Sequence, residues 1–178
     1  MAERYRTHLW AMRLLYAALC SLVMMFHLLP LGQLATVSFT PDVILCLTLA
    51  WVIRRPEYAP ILLIAIVALL ADLLLMRVPG LWAALVVLLA NSIGKKRRRM
   101  RSTGFAVEWF RVSSGIAVIF VVQRIALSLL FVEPAPIIAN LAQFIATIAA
   151  YPLIVALTAG VLRIRKPDLI EAEAGGRA

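Results

Sequence analysis

Acidic residues are scarce: nine Asp and Glu stand against eighteen Lys and Arg, and charged residues make up only 15% of the 178. A solvated domain of this length draws on roughly 25% charged residues, so a soluble globular protein is excluded. Cysteine and histidine are rarer still, at two each. Cys20 and Cys46 lie inside apolar runs with no further cysteine or histidine at ligand spacing, so both read as small core residues. His8 and His27 are isolated, and the chain has no H-E-x-x-H, no C-x-x-C and no glycine-rich phosphate loop. The few serines lack a base near in sequence, and Ser113, Ser114 and Ser128 read as helix-packing residues. No catalytic residue, metal or cofactor is expected. The net charge of +9 raises nucleic acid as a partner. The basic residues, however, sit at the ends of apolar runs without the interleaved aromatics of a base-stacking surface, so no nucleic acid is expected either.

What is present is hydrophobicity, at 63% of residues. A membrane span takes roughly 20 apolar residues to cross about 30 Å of hydrocarbon, so six spans would use most of the chain. The sequence predicts an all-α membrane protein of about six transmembrane helices, one domain over 1–166, with spans near 9–31, 41–54, 58–76, 81–93, 112–132 and 137–162. Residues 167–178 read as a disordered cytoplasmic tail. The first apolar run has no A-x-A-like cleavage site and is expected to be retained as a span.

Thr40, Pro41 and Asp42 open the second span with a cap, a first-turn proline and an acid favoured by the helix dipole. That span is short, and Arg54, Arg55 and Pro56 close it. Arg77, Val78, Pro79 and Gly80 form a turn signal, so the third and fourth spans should make a hairpin. Phe105 to Arg111, with Glu108 among aromatics, reads as a segment at headgroup level before the fifth span. Pro152 predicts a kink in the sixth.

Cytoplasmic loops retain Lys and Arg. With the N-terminus inside, Arg4, Arg6, Arg13, Arg54, Arg55, Arg111, Arg163, Arg165, Lys166 and Arg177 fall on the cytoplasmic side, as does the cluster Lys95, Lys96, Arg97, Arg98, Arg99 and Arg101. Arg77 alone is left outside, at the outer surface, and Arg124 lies within a span. Six spans with both termini cytoplasmic follow. The basic cluster fixes topology and can contact anionic lipid or an acidic cytoplasmic partner.

Asp72 and Arg124 are ionisable groups deep in predicted spans, at similar depth, and such residues find a partner or line a cavity. Two arrangements are open. Either the two form an intramembrane ion pair, or Arg124 snorkels outward while Asp72 bonds the turn near Arg77. Gln123, Gln143 and Asn91 read as structural amides.

The order of motifs is familiar: Pro41-Asp42, Trp51, Arg55-Pro56-Glu57, Leu70-Ala71-Asp72-Leu73-Leu74, Pro79-Gly80-Leu81-Trp82, Val107-Glu108-Trp109 and Ala150-Tyr151-Pro152-Leu153. Over most of Phe39 to Leu162 this resembles MreD, the family of rod shape-determining membrane proteins, in its alphaproteobacterial form. The resemblance implies a non-catalytic scaffold of the cell-elongation machinery that builds peptidoglycan. Such a subunit binds the single-span protein MreC and works with MreB, RodA and a class B penicillin-binding protein. It also implies a fold similar to the membrane substrate-binding subunits of energy-coupling-factor transporters. From that likeness comes the rival expectation, a small-molecule-binding transport component whose cavity contains Asp72 and Arg124.

Overall fold

The computed structural model describes residues 2–28, 40–95 and 104–160, with side chains from residue 6 onward. Among them are six helices and no strand: α1 (Ala2–Leu28), α2 (Val43–Arg54), α3 (Ile61–Leu74), α4 (Leu81–Lys95), α5 (Phe105–Leu129) and α6 (Ile137–Gly160). Three helices are long and apolar enough to cross a membrane: α1 over Arg6–Leu28, α5 and α6. The other three are shorter apolar helices. Lys96 to Arg101 and the tail 167–178 lie outside the described residues, and of the basic cluster only Lys95, exposed at the end of α4, is placed.

α2 is the centre of the bundle. Eleven of its twelve residues, Ile44 through Arg54, are buried, because α1, α4 and α6 pack around it. A helix apolar on every side must be enclosed by protein or lipid, and here protein does it. The two closely packed neighbours α3 and α4 form the expected hairpin. By contrast α3 and α5 leave Leu62, Ile66, Leu69, Val118, Val121 and Ile125 exposed, which in water would be an unsustainable apolar surface. One face of α1, Tyr16, Cys20 and Met24, repeats every four residues and turns inward. Both cysteines are buried and free, as expected of core residues.

The element boundaries carry physical reasons. α2 starts at Val43 rather than 41 because Asp42 itself is the cap: its Oδ1 accepts from the Leu45 amide at 3.0 Å. α3 and α5 both end in a Schellman arrangement. In α3 the Arg77 amide bonds the Asp72 carbonyl at 2.9 Å and the Met76 amide the Leu73 carbonyl at 3.4 Å. In α5 the Val132 amide bonds the Leu127 carbonyl at 3.0 Å and the Phe131 amide the Ser128 carbonyl at 3.3 Å. Each motif places a large apolar residue in the left-handed region, Met76 at φ 53° and Phe131 at φ 55°, where glycine is the usual occupant. Gly80, at φ 87°, meets the same demand without a side chain. α5 begins at Phe105 rather than 112, so the segment expected at headgroup level is the first two turns of that helix. α6 is one helix from Ile137 to Gly160 with Pro152 inside it; Pro152 has no N–H, so the Ile148 carbonyl lacks its helical donor.

Successive helices alternate in direction. Arg13 donates to the Glu57 carbonyl at 3.1 Å, and the rings of His8 and Tyr58 meet at 5.9 Å, so the start of α1 lies beside the α2–α3 turn. That end also gathers Arg54, Lys95 and Glu108; we call it the inner end. Asp42, Arg77 and Arg124 lie at the other, outer end.

Candidate functional site

Polar groups inside so apolar a bundle need partners, and three clusters supply them. The first is the α3–α4 hairpin. Asp72 is wholly buried, and its Oδ2 accepts from the amides of Gly80 at 3.0 Å and Ala83 at 3.1 Å. These are among the orphan donors at the start of α4, so a carboxylate from the preceding helix caps the next one, where its charge also meets the positive end of the helix dipole. Arg124 does not pair with Asp72. Its guanidinium donates to the Ala135 carbonyl at 3.1 Å, across the α5–α6 turn. Of the two arrangements open from sequence, the ion pair is therefore corrected in favour of the other, because each group finds a nearer backbone partner.

The second cluster ties α2 to α6 and to the hairpin. The Asp42 amide donates to the Thr147 hydroxyl at 3.0 Å, and the Cys46 thiol to the Thr147 carbonyl at 3.3 Å. Arg77 approaches Asp42 at 3.4 Å and stacks over the Trp82 ring at 5.6 Å. Expected as a lone outer-surface charge, Arg77 is instead partly covered and engaged by a buried acid.

The third cluster was not expected. At the inner end Arg54, Glu108 and Tyr151 meet from α2, α5 and α6. Arg54 lies 3.4 Å from Glu108 Oε1, and the Tyr151 hydroxyl donates to the same oxygen at 2.9 Å. Glu108 is 1% exposed and Arg54 6%. Within the segment expected at headgroup level, Phe110 faces outward while Glu108 turns into the bundle. Nearby, the Trp109 indole donates to the Ile148 carbonyl at 3.2 Å, a second tie between α5 and α6.

Between these clusters the outer end encloses a cavity of about 340 Å³, lined by His27, Asp42, Arg77, Trp82, Asn140 and Gln143 among others. A second space of about 200 Å³ shares Arg77, Trp82, Asn140 and Gln143 and adds Gln123 and Arg124. Arg124 thus lines a cavity as the transport reading requires, and Asp72, committed to the hairpin, does not share it. Gln123 and Gln143, read as helix-bonding amides, face this space. At the inner end Pro56 and Asn91 line a groove of about 380 Å³ with Gly94 and Lys95.

No family model, curated protein or solved structure matches this chain.

The chemistry on offer is therefore read from the residues alone. Three helix-locking clusters hold the bundle in one arrangement, and one cationic, amide-rich cavity opens at its outer end. Among the described residues no three of His, Cys, Asp and Glu converge. Of the motif residues, Pro41 lines the outer cavity and Pro56 the inner groove, Pro79 and Gly80 shape the hairpin turn, and the Arg55 amide closes α2 on the Trp51 carbonyl at 2.7 Å.

Proposed function

We propose that the chain is a non-catalytic scaffold of the bacterial cell-elongation machinery, of the MreD kind. Its six helices span the inner membrane with both termini in the cytoplasm, in a fold like that of the substrate-binding subunits of energy-coupling-factor transporters. It binds MreC and acts with MreB, RodA and a class B penicillin-binding protein. One observation carries this reading: the residues whose order suggested the family, from Asp42 through Asp72, Gly80 and Trp82 to Glu108 and Tyr151, are the ones engaged in locking helices together. A scaffold needs a fixed surface more than a reactive group, and these residues are committed to fixing it.

The short helices fit a six-span arrangement. α2 covers only about 18 Å at 1.5 Å per residue, yet it is sheathed by protein, and non-helical backbone at membrane depth is tolerated where protein or a cavity surrounds it. Its non-helical lead-in at Pro41 and Asp42, a tight turn closed by the Val43 amide on the Pro41 carbonyl at 2.9 Å, borders the outer cavity. That same cavity favours the second reading, a membrane component that captures a small molecule.

Reporter fusions after Gly80 and Pro134 should report the periplasm, and a fusion after Glu57 the cytoplasm; a cytoplasmic signal at Gly80 ends the six-span arrangement. Deletion in a rod-shaped host should abolish rod shape. Purification from native membranes in mild detergent should bring down a single-span MreC-like partner in stoichiometric amount. Normal morphology with failed uptake of one nutrient would instead establish the transport reading.

A further inference from the structure

We propose that the outer end of the bundle binds one anionic phospholipid, with its phosphate against Arg124 and an acyl chain in the cleft between α5 and α6. The head site comes from charge. Arg77 is engaged by Asp42, whereas Arg124 reaches only the Ala135 carbonyl, and among the described residues no carboxylate pairs with it. Arg124 is partly buried at the outer end of an apolar bundle with a carbonyl as its hydrogen-bond partner, and an anion at hydrogen-bonding distance would supply the opposite charge. Gln123, Asn140 and Gln143 line the same space and offer amide donors to further phosphate oxygens.

The tail site comes from shape. On the other side of Arg124 lies a third space, about 280 Å³, between α5 and α6, walled by Ala117, Phe120, Val121, Leu141 and Phe144. Arg124, Phe120 and Asn140 belong to both this cleft and the polar cavity, so a guanidinium sits at the junction of a polar chamber and an apolar one. Val121, Leu141 and Ile137 on the cleft wall are exposed, so the cleft is open on the side that would face lipid. A free anion uses only the chamber. An amphiphile with a negative head fills both. A zwitterionic head would bring its own cation beside Arg77 and Arg124, so the site selects net negative lipid over phosphatidylcholine.

The test uses the full chain in nanodiscs containing equal phosphatidylglycerol and phosphatidylcholine, with native mass spectrometry counting the lipids kept after release at high salt. Salt screens exposed basic residues such as Lys95 more than a partly buried contact at Arg124. One phosphatidylglycerol should be retained with about tenfold preference, a difference of about 1.4 kcal/mol. Arg124→Gln should reduce the preference to about twofold or less. Ala117→Trp, which fills the cleft and leaves both arginines in place, should lower retention as well, and it decides the matter if Arg124→Gln fails to fold. Lys95→Gln should change nothing. Equal retention of the two lipids, a preference that survives Arg124→Gln, or full displacement by inorganic phosphate would overturn the proposal, the last by showing a site for a free anion. The proposal rests on the chain lying in a bilayer and not on the elongation role. Recovery of the chain outside the membrane fraction removes both, whereas a lost lipid preference in a membrane-embedded chain removes only this one.

Discussion

Replacing Glu108 by leucine should be the most damaging single change in the bundle, lowering stability by about 3–5 kcal/mol, because it removes one member of a buried ion pair with Arg54. The magnitude comes from the charge left behind. Arg54 also donates to the Ala50 carbonyl at 3.3 Å, but a carbonyl cannot neutralise it. Tyr151, wholly buried, loses its acceptor at the same time. The measurement is the folded, monodisperse fraction recovered in detergent after a heating series, by fluorescence-detected size exclusion. Arg54→Leu combined with Glu108→Leu should recover a large part of the loss, since removing both members of a buried pair is much less costly than removing one. Strict additivity of the two single changes would show that the groups do not interact.

Asp72 ranks second. Asp72→Leu should cost about 1–3 kcal/mol for each amide left without an acceptor, those of Gly80 and Ala83, and it also removes the charge at the start of α4. Asp72→Asn keeps an acceptor oxygen and should fall between leucine and wild type. Because Arg124 bonds the Ala135 carbonyl and not Asp72, adding Arg124→Leu to either variant should give no rescue. Rescue in that double substitution would restore the ion pair that the geometry rejects.

These two sites divide the sequence into what it made legible and what it did not. The role of Asp72 was within reach, because its partners lie 8 and 11 residues away, within one turn signal. The hairpin followed from Arg77 to Gly80 for the same reason. Glu108 was out of reach. Its partners are 54 and 43 residues distant, and nothing in a local pattern says which helices will be neighbours. Arg54 was also misleading, since an arginine closing an apolar run is fully explained by the positive-inside rule, and that explanation hides a second use. The signal available was one acid in an aromatic-rich segment, four residues before Val112 and so on the same helix face as that buried residue, in a chain with only nine acids. The cavity was invisible for a different reason: it is an absence of atoms between helices, and it depends on where α2 starts, which the capping geometry of Asp42 moved by two residues.

The enclosure of α2 also bears on how the chain is made. The helix that closes its last side is α6, through Thr147, and the contacts from Asp42 and Cys46 reach across 105 and 101 residues of sequence. During synthesis at roughly 5–20 residues per second, the second helix therefore spends several seconds without its final neighbour. In that interval the Asp42 amide and the Cys46 thiol lack the acceptors that Thr147 supplies. The nascent chain needs either a chaperoning insertase or provisional cover from α1, whose Tyr16 reaches the Thr48 hydroxyl at 2.7 Å. That bond links two helices that emerge one after the other, so both of its partners are translated long before Thr147.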